Sequence, residues 1–326
     1  MILPRRRFLH LATGAAALQA KSRIARADTY PSRPVRVIVP FAPGGQTDVI
    51  GRLLAQKLSA HFGKQYYVEN MPGAGGNIAV GRAAQAVPDG YTMLVTDISL
   101  VVNPSLHTKV PYDPFKDFEL VSLAVTTTQV LTVNPSLPVQ TVKDLVDLIK
   151  VNPGKYSYAS PGIGTPGHLA GELLRMSAGL DLVNVPFGGA GPAINSTIGG
   201  HTPIAFGSPA AIVPQITDGK LRALAVASKT RVSVLPGVPT MAEAGFPDVE
   251  CDVWVGLLVP AKTPKEIITL LNRETNEIVA LPDMKERLTS LGFQPFPSTP
   301  EEAAERVRTD SEKWAKIILA SGIKAE

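Results

Sequence analysis

Four glycine-rich turns constrain this chain more than any other feature. They read Pro40-Phe-Ala-Pro-Gly-Gly-Gln-Thr-Asp48, Asn70-Met-Pro-Gly-Ala-Gly-Gly-Asn77, Ser160-Pro-Gly-Ile-Gly-Thr-Pro-Gly-His168 and Pro186-Phe-Gly-Gly-Ala-Gly-Pro192. Each lies between a short apolar run and an amphipathic stretch. The runs at 35–39, 66–68, 92–95, 157–159, 183–185 and 224–227 predict strands; those at 48–61, 77–86, 169–178 and 190–198 predict helices. Strands alternating with helices imply mostly parallel sheets covered on both faces. Val-Ile-Val-Pro-Phe at 37–41 returns as Val-Asn-Val-Pro-Phe at 183–187, which suggests two lobes of related architecture.

Helix starts are marked independently. Thr141 with Asp144, Thr263 with Glu266 and Thr299 with Glu302 have capping-box spacing, and Pro264 and Pro300 suit a first helical position. A chain of 326 residues, 44% hydrophobic and only 18% charged, has the balance of a packed globule of one large or two ordinary domains. Its single cysteine, Cys251, excludes an internal disulfide framework and a multi-cysteine metal site.

The formal charge of +4, from 32 Lys and Arg against 28 Asp and Glu, hints at a polyanionic partner. Six of those basic residues (Arg5, Arg6, Arg7, Lys21, Arg23 and Arg26) fall in residues 1–27, which hold no acidic residue. The remainder is slightly acidic, and nucleic acid is not an expected partner. The first 27 residues read as a cleavable signal. Arg5-Arg6 precedes Phe8-Leu9, a weak apolar stretch runs from Leu11 to Leu18, and Ala25-Arg26-Ala27 precedes Asp28. The apolar part is too short to span a bilayer, and the pattern resembles a twin-arginine export signal. The mature chain is expected in the periplasm.

Strand-to-helix turns gather at the carboxyl edge of an open α/β sheet, where ligands bind. Each following helix presents unpaired N–H groups and a partial positive end, so such a site attracts an anion without Lys or Arg. The four turns contain no basic side chain, which disfavours polyphosphate and suits a small carboxylate. There is no Gly-x-x-x-x-Gly-Lys-Ser/Thr loop, and Gly73-Ala-Gly75-Gly76 lacks the third spacing of a dinucleotide fingerprint, although Asp97 lies about 20 residues on. No cofactor is expected. Gly-x-Ser-x-Gly and His-Glu-x-x-His are also missing, so the chain does not read as an enzyme. His168 and Glu172 are spaced to share a metal but read as a polar pair at a helix start. Cys251 reads as a half-buried strand residue. Trp254 and Trp314 read as packing residues, with Trp254 also able to border a cleft.

Further runs carry a resemblance. Together with the first two turns, Asn103-Pro-Ser-Leu, Tyr112-Asp-Pro-Phe-Lys-Asp-Phe118, Leu221-Arg-Ala-Leu-Ala-Val226, Leu235-Pro-Gly-Val-Pro-Thr-Met-Ala-Glu-Ala-Gly245 and Trp254-Val-Gly-Leu are in order along the chain. From Tyr30 to Gly322 the chain resembles the Bug-type solute receptors of the tripartite tricarboxylate transporter family. The resemblance implies a type II periplasmic binding fold of two lobes, with hinge strands at 130–133 and 252–259. The lobes would comprise residues 28–131 with 251–326, and 132–250. It also implies a monomer that delivers a di- or tricarboxylate, or an aromatic carboxylate, to membrane permease subunits.

Carried over position by position, the first-lobe contacts are Phe41, Ala42, Gly44, Gly45, Thr47, Asp97 and Ser99. Those of the second lobe are Ser160, Gly164, Thr165, His168, Phe187, Gly188, Gly207 and Ser208. Phe41 and Phe187 read as cleft walls, with lobe core as the alternative, and Thr165 doubles as a helix cap. Two departures stand out. Many members carry acidic residues in and just after the strand that follows Gly199-Gly200-His201, where this chain has Pro203, Gly207 and Ser208; a carboxylate without an amino group is therefore expected. The usual Ser/Thr-rich turn reads Thr96-Asp97-Ile98-Ser99, and an ionised Asp97 facing the cleft would repel a carboxylate. Two other roles fit the same residues: a ligand-binding sensor subunit, or an exported α/β enzyme acting on carboxylates.

Overall fold

The computed structural model describes residues 30–323, so the leader expected over 1–27 lies outside the described residues. The chain opens with β1 (Val35–Val39), α1 (Gln46–Phe62), β2 (Tyr66–Asn70), α2 (Asn77–Ala84), β3 (Thr92–Asp97), α3 (Ser99–Leu106) and β4 (Phe118–Thr127). It continues with β5 (Val130–Val133), α4 (Val142–Lys150), β6 (Ser157–Ser160), α5 (Pro166–Ala178), β7 (Val183–Pro186), α6 (Ala190–Ile198), β8 (Ile204–Gly207), α7 (Pro209–Thr217) and β9 (Arg222–Val226). The return comprises β10 (Val253–Pro260), α8 (Lys265–Ala280), α9 (Pro282–Ser290), β11 (Gln294–Pro295) and α10 (Pro300–Ser321).

Among the described residues these strands make two sheets, ordered β11-β4-β10-β3-β1-β2 and β7-β6-β8-β5-β9. The strands that feed the glycine turns pair in parallel, β1 with β2 and β3, and β6 with β7 and β8. The strands next to the crossings run antiparallel: β10 against β3 and β4, and β5 against β8 and β9. Each sheet is therefore mixed rather than mostly parallel. A strand arriving from the other sheet needs no crossover helix, so the direction constraint that parallel strands obey does not bind it.

The chain leaves the first sheet after Thr127 and enters the second at Val130, a few residues before the crossing expected near Thr132. The return runs beside it. Ala227 N donates to Gln129 O at 2.8 Å, Cys251 N donates to Ala227 O at 2.8 Å, and the Thr128 hydroxyl donates to Cys251 O at 3.3 Å. Both connections are thus bonded into one narrow band between the lobes.

Local chemistry explains most element boundaries. Helix α1 buries Ile50, Leu54 and Leu58 and stops at Gly63, whose φ of 65° is left-handed. Gly51 lets that helix settle on the sheet, since a β-carbon there would meet Val39 Cγ2 at 3.0 Å. Thr141 and Thr299 form the expected reciprocal capping boxes with Asp144 and Glu302. Thr263 does not. Its hydroxyl donates back to Pro260 O at 2.7 Å, closing the turn after β10, so the helix begins at Lys265 with Pro264 just outside it.

Candidate functional site

The first glycine turn is built around Asp48. Its carboxylate accepts from Gly44 N at 3.0 Å, Arg52 Nε at 3.1 Å and Asn70 Nδ2 at 2.8 Å, and Asn70 Nδ2 also reaches Phe41 O at 3.0 Å. Burial opposes the charge, but the bonds from Arg52, Gly44 and Asn70 outweigh it and hold the carboxyl below its usual range. This clamp fixes the turn so that Gly45, Gln46 and Thr47, the start of α1, face inward. The N–H of Gly44 is engaged by Asp48, and Gly44 itself is exposed.

At the end of β3, Asp97 is buried and lines the same cavity. One carboxylate oxygen, Oδ1, accepts from Ser99 N at 3.1 Å and Ser99 Oγ at 2.6 Å; Oδ2 accepts from Gln46 Nε2 at 2.8 Å. Gln46 Oε1 in turn accepts from Gln129 Nε2 at 3.3 Å, at the crossing between the sheets. Burial raises the Asp97 pKa, and the bonds from Ser99 and Gln46 offset that only in part. Its placement is open from sequence; in the structure it is one of the residues lining the cavity.

The second lobe supplies Pro161, Thr165, Pro166 and Gly167 from the start of α5, Ala190 from α6 and Ser208 from α7. With α1, four helix N-termini therefore converge on one small cavity of about 30 Å³. Phe41 walls it, and Asp97 is the one titratable side chain among its described lining residues. The Ser208 hydroxyl is buried without a hydrogen-bond partner. Phe41 and Pro161 also border an outer groove of about 310 Å³, lined further by His107, Ile163, Phe187 and Gly188.

The lobes touch around this cavity. Ala42 N donates to Gly188 O at 3.1 Å, and a β-carbon on Gly189 would meet that of Ala42 at 2.8 Å. Gly164 packs on Asn103, whose Nδ2 is held at 2.9 Å by both Gly75 O and Asn77 Oδ1. The two lobes are thus in direct contact across the cleft around this cavity.

Of the residues named from sequence, Phe41, Gly45, Thr47, Asp97, Thr165 and Ser208 come together on the inner cavity. Phe187 and Gly188 border the outer groove, while Ala42 and Gly164 make the lobe-to-lobe contacts. The others do not line the cavity. Ser99 is engaged by Asp97; Ser160 is fully buried with its hydroxyl toward Gly162 O; Gly207 pairs with Val130. His168 accepts from Gly164 N at 3.1 Å through Nδ1, so it shapes the third turn from behind. Glu172, expected to pair with His168, instead accepts from the Tyr158 hydroxyl and from Arg175. Cys251 is fully buried rather than half-buried and precedes β10, with its thiol toward Pro166 O. Trp254 is core: it is fully buried, and its Nε1 donates to Asp310 at 3.1 Å.

Gln46, Gln129, Pro161, Pro166, Gly167 and Ala190 were not singled out from sequence. Gln46 stands between two chosen residues in the first turn, and that adjacency was an available signal. Gln129 becomes visible only when the crossing is placed.

Two α/β lobes joined by adjacent strands and closed on a cavity ringed by helix N-termini define a two-lobed solute-binding protein. The chain belongs to the tripartite tricarboxylate transporter family receptors, whose family model matches residues 50–323. It is similar to the periplasmic binding protein BugD, with 34% identity and a TM-score of 0.87, over 90% of this chain and 99% of that one. It is also similar to a Rhodopseudomonas palustris protein solved with adipate (31% identity, TM-score 0.88, 90% and 99% covered). A third similar structure is MatC from the same species with bound malate (31%, 0.85, 89% and 100%).

Proposed function

We propose that this chain is a periplasmic receptor that captures one small carboxylate between its lobes for a tripartite transporter. The observation that carries this reading is the convergence of four helix N-termini on a cavity with no basic lining residue. Each exposed end contributes about 0.3–1 kcal/mol toward an anion, and up to about 2 kcal/mol when partly buried. Several ends with direct N–H bonds reach the roughly 8 kcal/mol of a micromolar complex. Adipate and malate in the related receptors support a di- or tricarboxylate; an aromatic carboxylate fits the same chemistry. The solute carries no amino group, in keeping with Gly207 and Ser208 where other members are acidic.

The lobes move as the two sheet-bearing parts of the chain, dividing at Thr128–Gln129 and near Cys251. Residues 1–27 direct export through the twin-arginine route, the receptor acts as a monomer without catalysis, and the closed form hands its solute to membrane permease subunits. Thermal melting of the purified protein against a panel of carboxylates tests the reading. A ligand at 100 times its Kd adds about 2.7 kcal/mol of stability. No shift with any carboxylate overturns it.

A further inference from the structure

We infer that Asp97 enters the closed, solute-bound cavity as a neutral acid, so that capture of a carboxylate takes one proton from solvent onto this residue. The inference rests on the proposed carboxylate ligand and says how that ligand tolerates a carboxyl group already in its site.

The geometry carries the argument. Asp97 lies on the wall of the inner cavity, only 2% exposed, and every hydrogen bond it receives comes from an uncharged donor. A bound carboxylate would put two carboxyl groups into one small, largely dehydrated cavity. Two like charges so placed share a proton unless a cation intervenes.

No cation does. On α1, Asp48 is bound to Arg52 and Asn70 at the far side of the turn. Beside β10, the Cys251 thiol is buried and kept neutral by that burial. From α10, Asp310 is held by Trp254 Nε1 and Arg306. Behind the third turn on α5, His168 receives Gly164 N, and Glu172 is paired with Arg175. Helix α3 offers only Ser99 to Asp97.

One carboxylate oxygen has room for the proton. Oδ1 already accepts two hydrogen bonds, whereas Oδ2 accepts one, from Gln46. Protonated there, Asp97 becomes a donor to the solute and adds to the helix ends rather than opposing them. The buried Ser208 hydroxyl, which has no partner of its own, supplies a donor from the other lobe. Burial raises the Asp97 pKa in this structure, and parting of the lobes, as proposed above, would return water to it and let the free receptor ionise more readily.

The test is calorimetric titration of the purified protein with malate and with adipate, in buffers of different ionisation enthalpy and at several pH values. The expected result is uptake of about one proton per ligand, with Kd weakening about tenfold per pH unit between the free and bound pKa of Asp97. Asp97→Asn, checked by its melting curve, should abolish the proton uptake and flatten the pH dependence. Should that variant not fold, Asp97→Ser serves, and the proton count on the unaltered protein stands alone. Binding with no proton exchange and a flat Kd overturns the inference, as does an unchanged pH slope in Asp97→Asn. Tight binding of aspartate or glutamate without proton uptake also overturns it, because Asp97 would then be the partner of an ammonium group. If no carboxylate binds, the carboxylate reading itself falls and takes the inference with it.

Discussion

Gly164 of the second lobe rests directly on Asn103 of the first, at a φ of +77° and with so little clearance that any β-carbon would overlap the Asn103 amide oxygen. Asn103 cannot easily yield, because its Nδ2 is tied to Gly75 O and Asn77 Oδ1. Gly164→Ala should therefore oppose closure more than folding. Overpacking of this kind costs about 1–3 kcal/mol, or roughly fivefold to a hundredfold in solute affinity. Calorimetric Kd values beside melting curves check it; an unchanged Kd would show that the contact is not part of the bound state.

Ser208→Ala separates a ligand contact from a structural one. The hydroxyl has no partner in the protein, so its loss should leave the unliganded melting temperature unchanged or slightly higher. Solute affinity should fall by about twofold to tenfold, the worth of one net hydrogen bond. Loss of stability without loss of affinity would assign the residue to the fold instead.

Gln46→Leu removes the donor to Asp97 Oδ2 and the acceptor for Gln129 in one step. A buried polar group left unpaired costs about 1–3 kcal/mol. The variant should melt earlier and bind more weakly, and restoring the amide with Gln46→Asn should recover little because the reach is shorter. Denaturant melts of both variants decide the point.

Two groups buried in this form set opposite pH trends of stability. Burial lowers the His168 pKa, so the unfolded chain binds the proton first, and this residue's contribution is complete above about pH 6.5 and lost as pH falls. Burial raises the Asp97 pKa, so the folded chain keeps its proton longer; that contribution is complete below about pH 3.9 and lost as pH rises through the folded value. Asp97→Asn should accordingly raise the melting temperature more at neutral than at acid pH. A uniform shift across pH would contradict this assignment.

Thr141→Ala removes one half of a reciprocal cap on a nine-residue helix, Val142–Lys150. It should destabilise the protein by about 1 kcal/mol and leave solute binding untouched, since the helix lies outside the cavity lining. A thermal melt and a titration read both halves of the prediction.

Periodicity exposed the helices with a clear apolar stripe or a capping pair, and it missed two that position the site. Helices α3 and α7 carry Pro104 and Pro214 inside them and are apolar around much of their surface, so neither proline punctuation nor amphipathic spacing marks them. The start of α7 nevertheless delivers Ser208 to the cavity. The antiparallel direction of the strands beside the crossings was not legible for a related reason. A strand's direction depends on which sheet it joins, and that is a long-range choice with no local residue code.

What the sequence determined by itself is the supply of parts: glycine turns at strand ends, helices starting just after them, and a lack of basic side chains where an anion would sit. These are local, because a turn needs glycine where φ is positive and a helix start exposes its own N–H groups. The tertiary structure alone decided how those parts face one another. It brought Gln129, more than 80 residues on, to Gln46. It also set Gly164 on Asn103 and buried Asp97 in the cavity wall, where burial outweighs the bonds from Ser99 and Gln46 in setting its charge. A carboxyl group reads the same in any sequence; whether it repels a solute or binds one depends on the water that folding removes.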